Sequence, residues 1–283
     1  MSAHRAMPEV GSRLRGELGK LPAFLRRDFL TAWSYRTAFV SDAVSLVFQA
    51  FLFYCVGALV DPGKLPTYGG SEVTYLEFAA VGIAVGAFVT LGLGRVATAV
   101  RQEQLAGTLE SLLITPTSAS TVQLGSMVYD LLYVPVRTAI FLAVVSLGFG
   151  LHLDPGGVLP SMVLIVAFIP FVWGIGIAAG GLVLTFKRGT GLVGVAAAVL
   201  TLGSGAYFPL EILPGWAASL AELNPLTVAL EGMREALLGG SWGDIGGRLL
   251  VLLPASAITF AAGALVFKWA LGRERRRGSL GLY

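Results

Sequence analysis

Polar residues are sparse along this chain, and the apolar ones gather into six runs. These fall at about 38–60, 78–100, 127–150, 159–186, 190–209 and 249–271. A helix needs roughly 20 residues to cross about 30 Å of hydrocarbon, so each run is long enough to span a bilayer. Backbone amides in lipid must be bonded within their own segment, and no ten-residue alternation of barrel strands occurs. The runs are therefore predicted helices. The fourth is long and contains Pro160 and Pro170, which predicts a kink, a tilt or a late start. The fifth is short and rich in glycine, with Gly191, Gly194, Gly203 and Gly205.

Three segments outside the runs carry patterns of their own. In residues 20–36, Leu21, Phe24, Leu25, Phe29, Ala32 and Trp33 share one helical face, with Arg26, Arg27, Thr31 and Ser34 elsewhere. A basic amphipathic helix lying in the membrane interface is predicted. Residues 101–116, RQEQLAGTLESLLITP, form a charge-balanced polar block between the second and third runs. Gly107 breaks the preceding helix, Thr108 can cap a new one, and Leu109, Leu112 and Leu113 give it an apolar face that Pro116 closes. Such a short helix suits a groove on a soluble partner; a solvated helical loop is the plainer alternative. Residues 207–240 carry an apolar stripe of Ile212, Leu213, Trp216, Leu220 and Leu223, too short to span. Asn224-Pro225 then starts a helix, as N-cap and first helical residue. Leu226, Leu230, Met233 and Leu237 follow at helical spacing, opposite Glu231, Arg234 and Glu235. Two short amphipathic helices dipping into a leaflet are expected.

Composition agrees: 55% of residues are hydrophobic and 13% charged, against about 25% charged in globular domains. Charge placement gives an orientation. With both termini cytoplasmic, sixteen of the twenty Lys and Arg residues fall inside, three (Lys64, Arg234, Arg248) outside, and Arg137 within a span. The basic residues are scattered along membrane edges rather than gathered into an aromatic-laced patch, so a nucleic-acid partner is not expected. The RERRRG cluster near the C-terminus sets this topology or binds anionic lipid headgroups; both readings stand. No signal-peptide core occurs in the first 36 residues, so the first run is expected to act as its own insertion signal. Cys55 is the single cysteine, which precludes a disulfide framework, and it is expected to serve packing.

Chemistry-bearing residues are few. Asp42, Asp130 and Arg137 lie within or at the edges of runs, where charges are costly and point to function. Asp130 and Arg137 are two helical turns apart and share a face, either in an ion-pair network or against a substrate. Gly82-x-x-x-Gly86 and Gly176-x-x-x-Gly180 permit close helix approach, within one subunit or at a dimer seam. Gly239-Gly240-Ser241-Trp242-Gly243 matches a hydrolase elbow by letter only: no strand precedes it, and the two histidines, His4 and His152, are badly placed. Two isolated histidines argue against a zinc site, and no phosphate-binding G-x-x-x-x-G-K-[ST] loop occurs.

The chain resembles the ABC-2 type permeases, the membrane subunits of one class of ABC exporters. The likeness rests on E-Q-L-A-G-T-L-E-S-L-L-I-T-P at 103–116, on G-A-Y-F-P-L-E-I-L-P-G-W followed by L-N-P-L-T and E-G-M-R, and on the plan of the whole chain. The resemblance implies an all-α integral membrane protein of six transmembrane helices, with an N-terminal amphipathic interface helix and an external re-entrant helical hairpin before the last span. Its parts would be a cytoplasmic N-terminus (1–37), the transmembrane domain (38–271) with coupling segment 101–116 and hairpin 207–240, and a basic tail (272–283). Arg101, Glu103, Gly107, Thr108, Leu109, Glu110, Leu112, Leu113, Thr115 and Pro116 would form the interface to an ATPase. This segment is less charged than is usual for the family. Phe208, Pro209, Pro214, Trp216, Asn224, Pro225, Glu231 and Arg234 would shape the hairpin. Two copies of a cytoplasmic ATPase would bind ATP and Mg, with no cofactor on this chain, beside a second permease copy as homodimer or a related chain. The protein would be non-catalytic and reside in the cell membrane. It would export a hydrophobic or amphipathic drug, lipid or glycan, touched by the first, second and fifth spans; Phe48, Phe51 and Phe88 are candidate lining residues, with a lipid-facing or packing role the plainer reading of each. The alternative is an ATP-independent channel or ion-coupled secondary transporter, which would be expected to carry charges near the midplane and often an internal repeat.

Overall fold

The computed structural model describes residues 36–61, 63, 65–70, 72–106, 119–186, 190–239 and 245–277, with isolated helical positions between 22 and 34. Side chains of 101–132 and of some others, Asp42 among them, lie outside that description. Eight α-helices are described: α1 Arg36–Gly57, α2 Tyr75–Ala106, α3 Ala119–Phe149, α4 Val158–Phe186, α5 Thr190–Leu202, α6 Gly215–Glu222, α7 Pro225–Gly239 and α8 Ile245–Arg277. Short 3-10 turns at Pro155–Gly157 and Leu210–Ile212 precede α4 and α6. No strand occurs among the described residues.

Three stretches are long and apolar enough to cross a membrane: Tyr75–Gly94, Pro155–Phe186 and Ile245–Glu274. Ala43–Gly57, Tyr133–Phe149 and Val193–Leu202 are shorter apolar helical stretches. The fourth run shows no late start: a 3-10 turn at Pro155–Gly157 runs into α4, which begins at Val158 and continues through Pro170. The fifth run departs from expectation. Instead of extending to 209 it stops at Leu202 after 13 residues, about 20 Å of helix. The chain then turns through Gly205, whose φ of 71° suits a residue without Cβ.

Helices α2 and α4 form the centre, burying Val81, Val85 and Val89 against Leu164, Phe168 and Val172 in one continuous apolar cluster. Phe88 lies edge-on to Phe168, with centroids 6.1 Å apart. Helix α8 runs alongside α4 because glycines remove the side chains that would hold them apart. A Cβ on Gly263 would strike the carbonyl of Gly174, and one on Gly174 would strike Thr259. The Ser256 hydroxyl ties the pair by donating to the Ala167 carbonyl at 2.7 Å. Gly82, Gly86 and Gly176 are likewise used inside the subunit, against Ala206, Thr201 and Gly92 respectively. Large apolar side chains cover the outside of the bundle, including Val44, Phe48 and Phe51 on α1 and Leu250, Ile258 and Leu265 on α8. Lipid, not water, is the solvent such a surface fits. Cys55, expected to pack, is exposed on α1.

Candidate functional site

Helix α7 is the mechanical centre of one end of the bundle. Its sequence start is confirmed atom by atom: the Asn224 side-chain oxygen accepts from the Leu226 amide at 3.1 Å, and Pro225 is the first helical residue. The Asn224 amide also donates to the Leu200 carbonyl at 3.1 Å, tying α7 to the end of α5. Leu226, Leu230, Met233 and Leu237 are buried as their spacing predicts.

Arg234 corrects that pattern. Expected on the polar face, it is fully buried. Its Nη2 donates to the carbonyls of Gly205 (3.0 Å) and Ala206 (2.9 Å), and its Nε donates to the Phe78 carbonyl at 3.2 Å. Its Nη1 pairs with Glu231 at 2.8 Å, and its Cζ sits 3.5 Å from the centre of the Phe78 ring. A buried cation is tolerable only when its donors are met, and the guanidinium fork meets them with three carbonyls, a carboxylate and a ring face. Two of the carbonyls it donates to, those of Gly205 and Ala206, belong to the turn after α5, beyond the end of the helix. Shortening α5 and burying Arg234 are thus two sides of one arrangement.

The network extends outward from the pair. The buried Tyr68 hydroxyl donates to the second Glu231 oxygen at 2.9 Å. Burial drives the Tyr68 phenol well above its ordinary range, and the Glu231 charge pushes it further. Tyr75 donates to the Tyr207 carbonyl at 2.8 Å, and Phe53 of α1 stacks on the Tyr207 ring at 5.2 Å. Gly82 lets the Ala206 carbonyl reach the α2 backbone, two turns below the start of α2. Glu77 accepts from the Thr74 amide and hydroxyl at 2.7 and 2.9 Å, and from the His152 amide at 3.0 Å. The Asp154 amide donates to the Leu237 carbonyl at 2.7 Å, and Arg248 of α8 holds both the Val228 carbonyl and Glu235. Helix α7 is therefore bonded to the loop before α2, to α2 itself, to the turn after α5, to the α3–α4 connection and to α8.

Other sequence-derived candidates fall differently. Phe208, Pro209 and Pro214 shape the 3-10 turn and the start of α6, and Trp216 is 73% exposed with Ile212, Leu220 and Leu223. The apolar stripe of this hairpin thus faces away from the bundle on α6, while α7 is part of the core. Phe48 and Phe51 are exposed, whereas Phe88 is buried. Arg137 is half-buried on α3; the side chains of Asp130 and Asp42 lie outside the described residues, as does any network among the three. The residues of 20–36 are described only at Pro22, Arg26, Phe29, Leu30, Ser34 and Arg36. Arg101 and Glu103 are in the helical backbone of α2; Gly107, Thr108, Leu109, Glu110, Leu112, Leu113, Thr115 and Pro116 lie outside the described residues. Tyr68, Glu77 and Arg248 were missed because none sits in a motif. Their only signal was that charged and phenolic groups flank apolar runs.

A polytopic helical bundle with an apolar exterior and a polar lock at one end defines a membrane-embedded protein. Residues 20–238 match the ABC-2 type transporter family, and the chain belongs to that family. It is similar to the linearmycin resistance permease protein LnrN of Bacillus subtilis (strain 168), with 28% identity over 196 residues. That alignment covers 69% of this chain and 50% of the relative, so the chain spans about half the length of the curated relative it matches.

Proposed function

We propose that this chain is the membrane-spanning subunit of an ABC exporter. It moves a hydrophobic or amphipathic substrate outward on ATP hydrolysed, with Mg, by two copies of a separate cytoplasmic ATPase. The observation that carries the reading is family membership over residues 20–238. Helix α2 supports the mechanical part. At 32 residues it is about 48 Å long, and its apolar stretch ends at Gly94. The remaining twelve residues, about 18 Å, carry the chain away from the α7 end toward 101–116. A rigid rod thus joins a cytoplasmic docking segment to the lock around Arg234, and closure of the ATPases tilts it.

In this reading the termini are cytoplasmic, the α7 end is external, and α5 with 203–239 forms the fifth crossing and a re-entrant hairpin. Six spans result, since α1 and α3, at 22 and 31 residues, are about 33 and 46 Å long. A second copy completes the pathway as a homodimer. The relative's description as a resistance permease favours a drug-like substrate over a glycan.

The test is co-purification. Expressed with the ATPase genes beside its own, the protein should retain an ATPase, and Leu109→Asp should release it without lowering permease yield. Retention of the ATPase by Leu109→Asp would remove the docking role from 101–116. Substrate flux through the isolated chain without ATP would favour a channel or secondary carrier instead.

A further inference from the structure

Helix α8 carries two recesses that lie apart from the Arg234 network. The first, about 650 Å³, is lined by Leu265, Lys268, Trp269, Gly272, Arg273 and Arg276. At 100° per residue these six fall within an arc of about 140°, so they form one face of the helix. Glu274 lies outside this lining and is buried on another side of the helix. Arg273 lies over the Trp269 ring at 5.3 Å, which fixes the guanidinium at the rim. Gly272 has nothing within 4 Å of where a Cβ would stand, so the floor between the cations is open. The second recess, about 630 Å³, is almost wholly apolar and lies between α4 and α8, with Val166, Pro170, Leu253, Ala257 and Phe260 in its walls. Between the two along α8, Ala261 and Ala264 are exposed and present only methyl side chains.

We infer that this side of α8 binds one anionic phospholipid, its phosphate among Lys268, Arg273 and Arg276 and an acyl chain over the alanines into the α4–α8 recess. The dimensions agree: Lys268 to Ala257 is eleven residues, about 16 Å, close to the depth of one leaflet in a core of about 30 Å. Trp269 sits between head and tail, at the level where an indole favours the interface. The cations also oppose the negative end of the α8 dipole, but that accounts only for their charge, not for the open floor or the apolar recess beyond it. The site requires α8 to be embedded in a bilayer and is independent of orientation and of ATPase coupling.

The test uses the full-length permease without its ATPase, so failure of ATPase docking leaves this result readable. Retained phosphatidylglycerol and phosphatidylcholine are counted by native mass spectrometry after exchange from mixed micelles. The wild type should prefer phosphatidylglycerol by about tenfold or more. K268Q/R273Q/R276Q should erase the preference. Ala261→Phe, which keeps every charge, should lower retention of phosphatidylglycerol by obstructing the tail. Millimolar glycerol phosphate should fail to displace the lipid, since it lacks the chain. Equal retention of the two lipids by the wild type would overturn the proposal, as would an unchanged preference in the triple variant. Displacement by glycerol phosphate would reduce the site to a phosphate site and overturn the tail assignment. Gel-filtration elution unchanged from wild type certifies that the variants are folded.

Discussion

Arg234 has none of its surface exposed, and the stability of the α7 end rests on how its donors are met. Arg234→Leu leaves the part-exposed Glu231 with only the Tyr68 hydroxyl, and the buried Gly205 and Ala206 carbonyls without the guanidinium donor. The expected loss is about 3–5 kcal/mol, read as a lowered Tm in detergent. Arg234→Lys keeps the charge but not the fork, so its Tm should fall between the two. A wild-type Tm in Arg234→Leu would refute the role. Tyr68→Phe keeps the ring and loses one hydrogen bond to a carboxylate, an expected cost of about 1.5–3 kcal/mol. Tyr68 also sets a pH dependence. Its folded-state pKa is raised, so the neutral phenol contributes stability that is whole below the ordinary value of about 10 and is lost as pH rises above it. Tm should therefore fall above pH 10 in the wild type, and less so in Tyr68→Phe; parallel curves would contradict the assignment.

Among the elements, α7 is hydrogen-bonded to the loop before α2, to α2, to the turn after α5, to the α3–α4 connection and to α8. Its capping residue performs two jobs, holding the Leu226 amide and the Leu200 carbonyl. Asn224→Ala should cost about 1 kcal/mol for the cap alone, and more when the lost Leu200 contact is added. Gly82 of α2 permits a separate contact with the turn after α5, since any side chain there meets the Ala206 backbone. Gly82→Leu should push the turn after α5 off α2 and abolish monodisperse protein in gel filtration, whereas Gly94→Leu, which faces open space, should not. Equal behaviour of the two would show that the α2 contact is dispensable.

For the whole molecule, the decisive matter is which end faces the cytoplasm. In the proposed topology residue 110 is cytoplasmic and the exposed Trp216 external, so they should report on opposite sides of the membrane. In a Cys55→Ala background, a cysteine replacing Glu110 should react with a membrane-impermeant maleimide only after permeabilisation. One replacing Trp216 should react in intact cells. The reverse pattern would invert the topology and with it the proposed direction of transport. Replacing Arg137 with Gln addresses the intramembrane charge: folding and export both unchanged would deny it either a structural or a substrate role.

What the sequence by itself determined is that the apolar runs form helices. The bilayer selects each apolar run one at a time, without reference to its neighbours, so the runs at 78–100, 159–186 and 249–271 reappear inside α2, α4 and α8. Asn224-Pro225 was readable for the same reason, because a cap depends on residues two or three positions away. The burial of Arg234 was not readable. Its partners Phe78, Gly205 and Ala206 are 156, 29 and 28 residues distant, and only folded packing brings carbonyls within reach of a charge that helical periodicity placed on the polar side. The early end of α5 follows the same rule. Its Leu200 carbonyl is held by the Asn224 amide, and the Gly205 and Ala206 carbonyls just beyond its end by Arg234, a compensation that exists only once the bundle has closed.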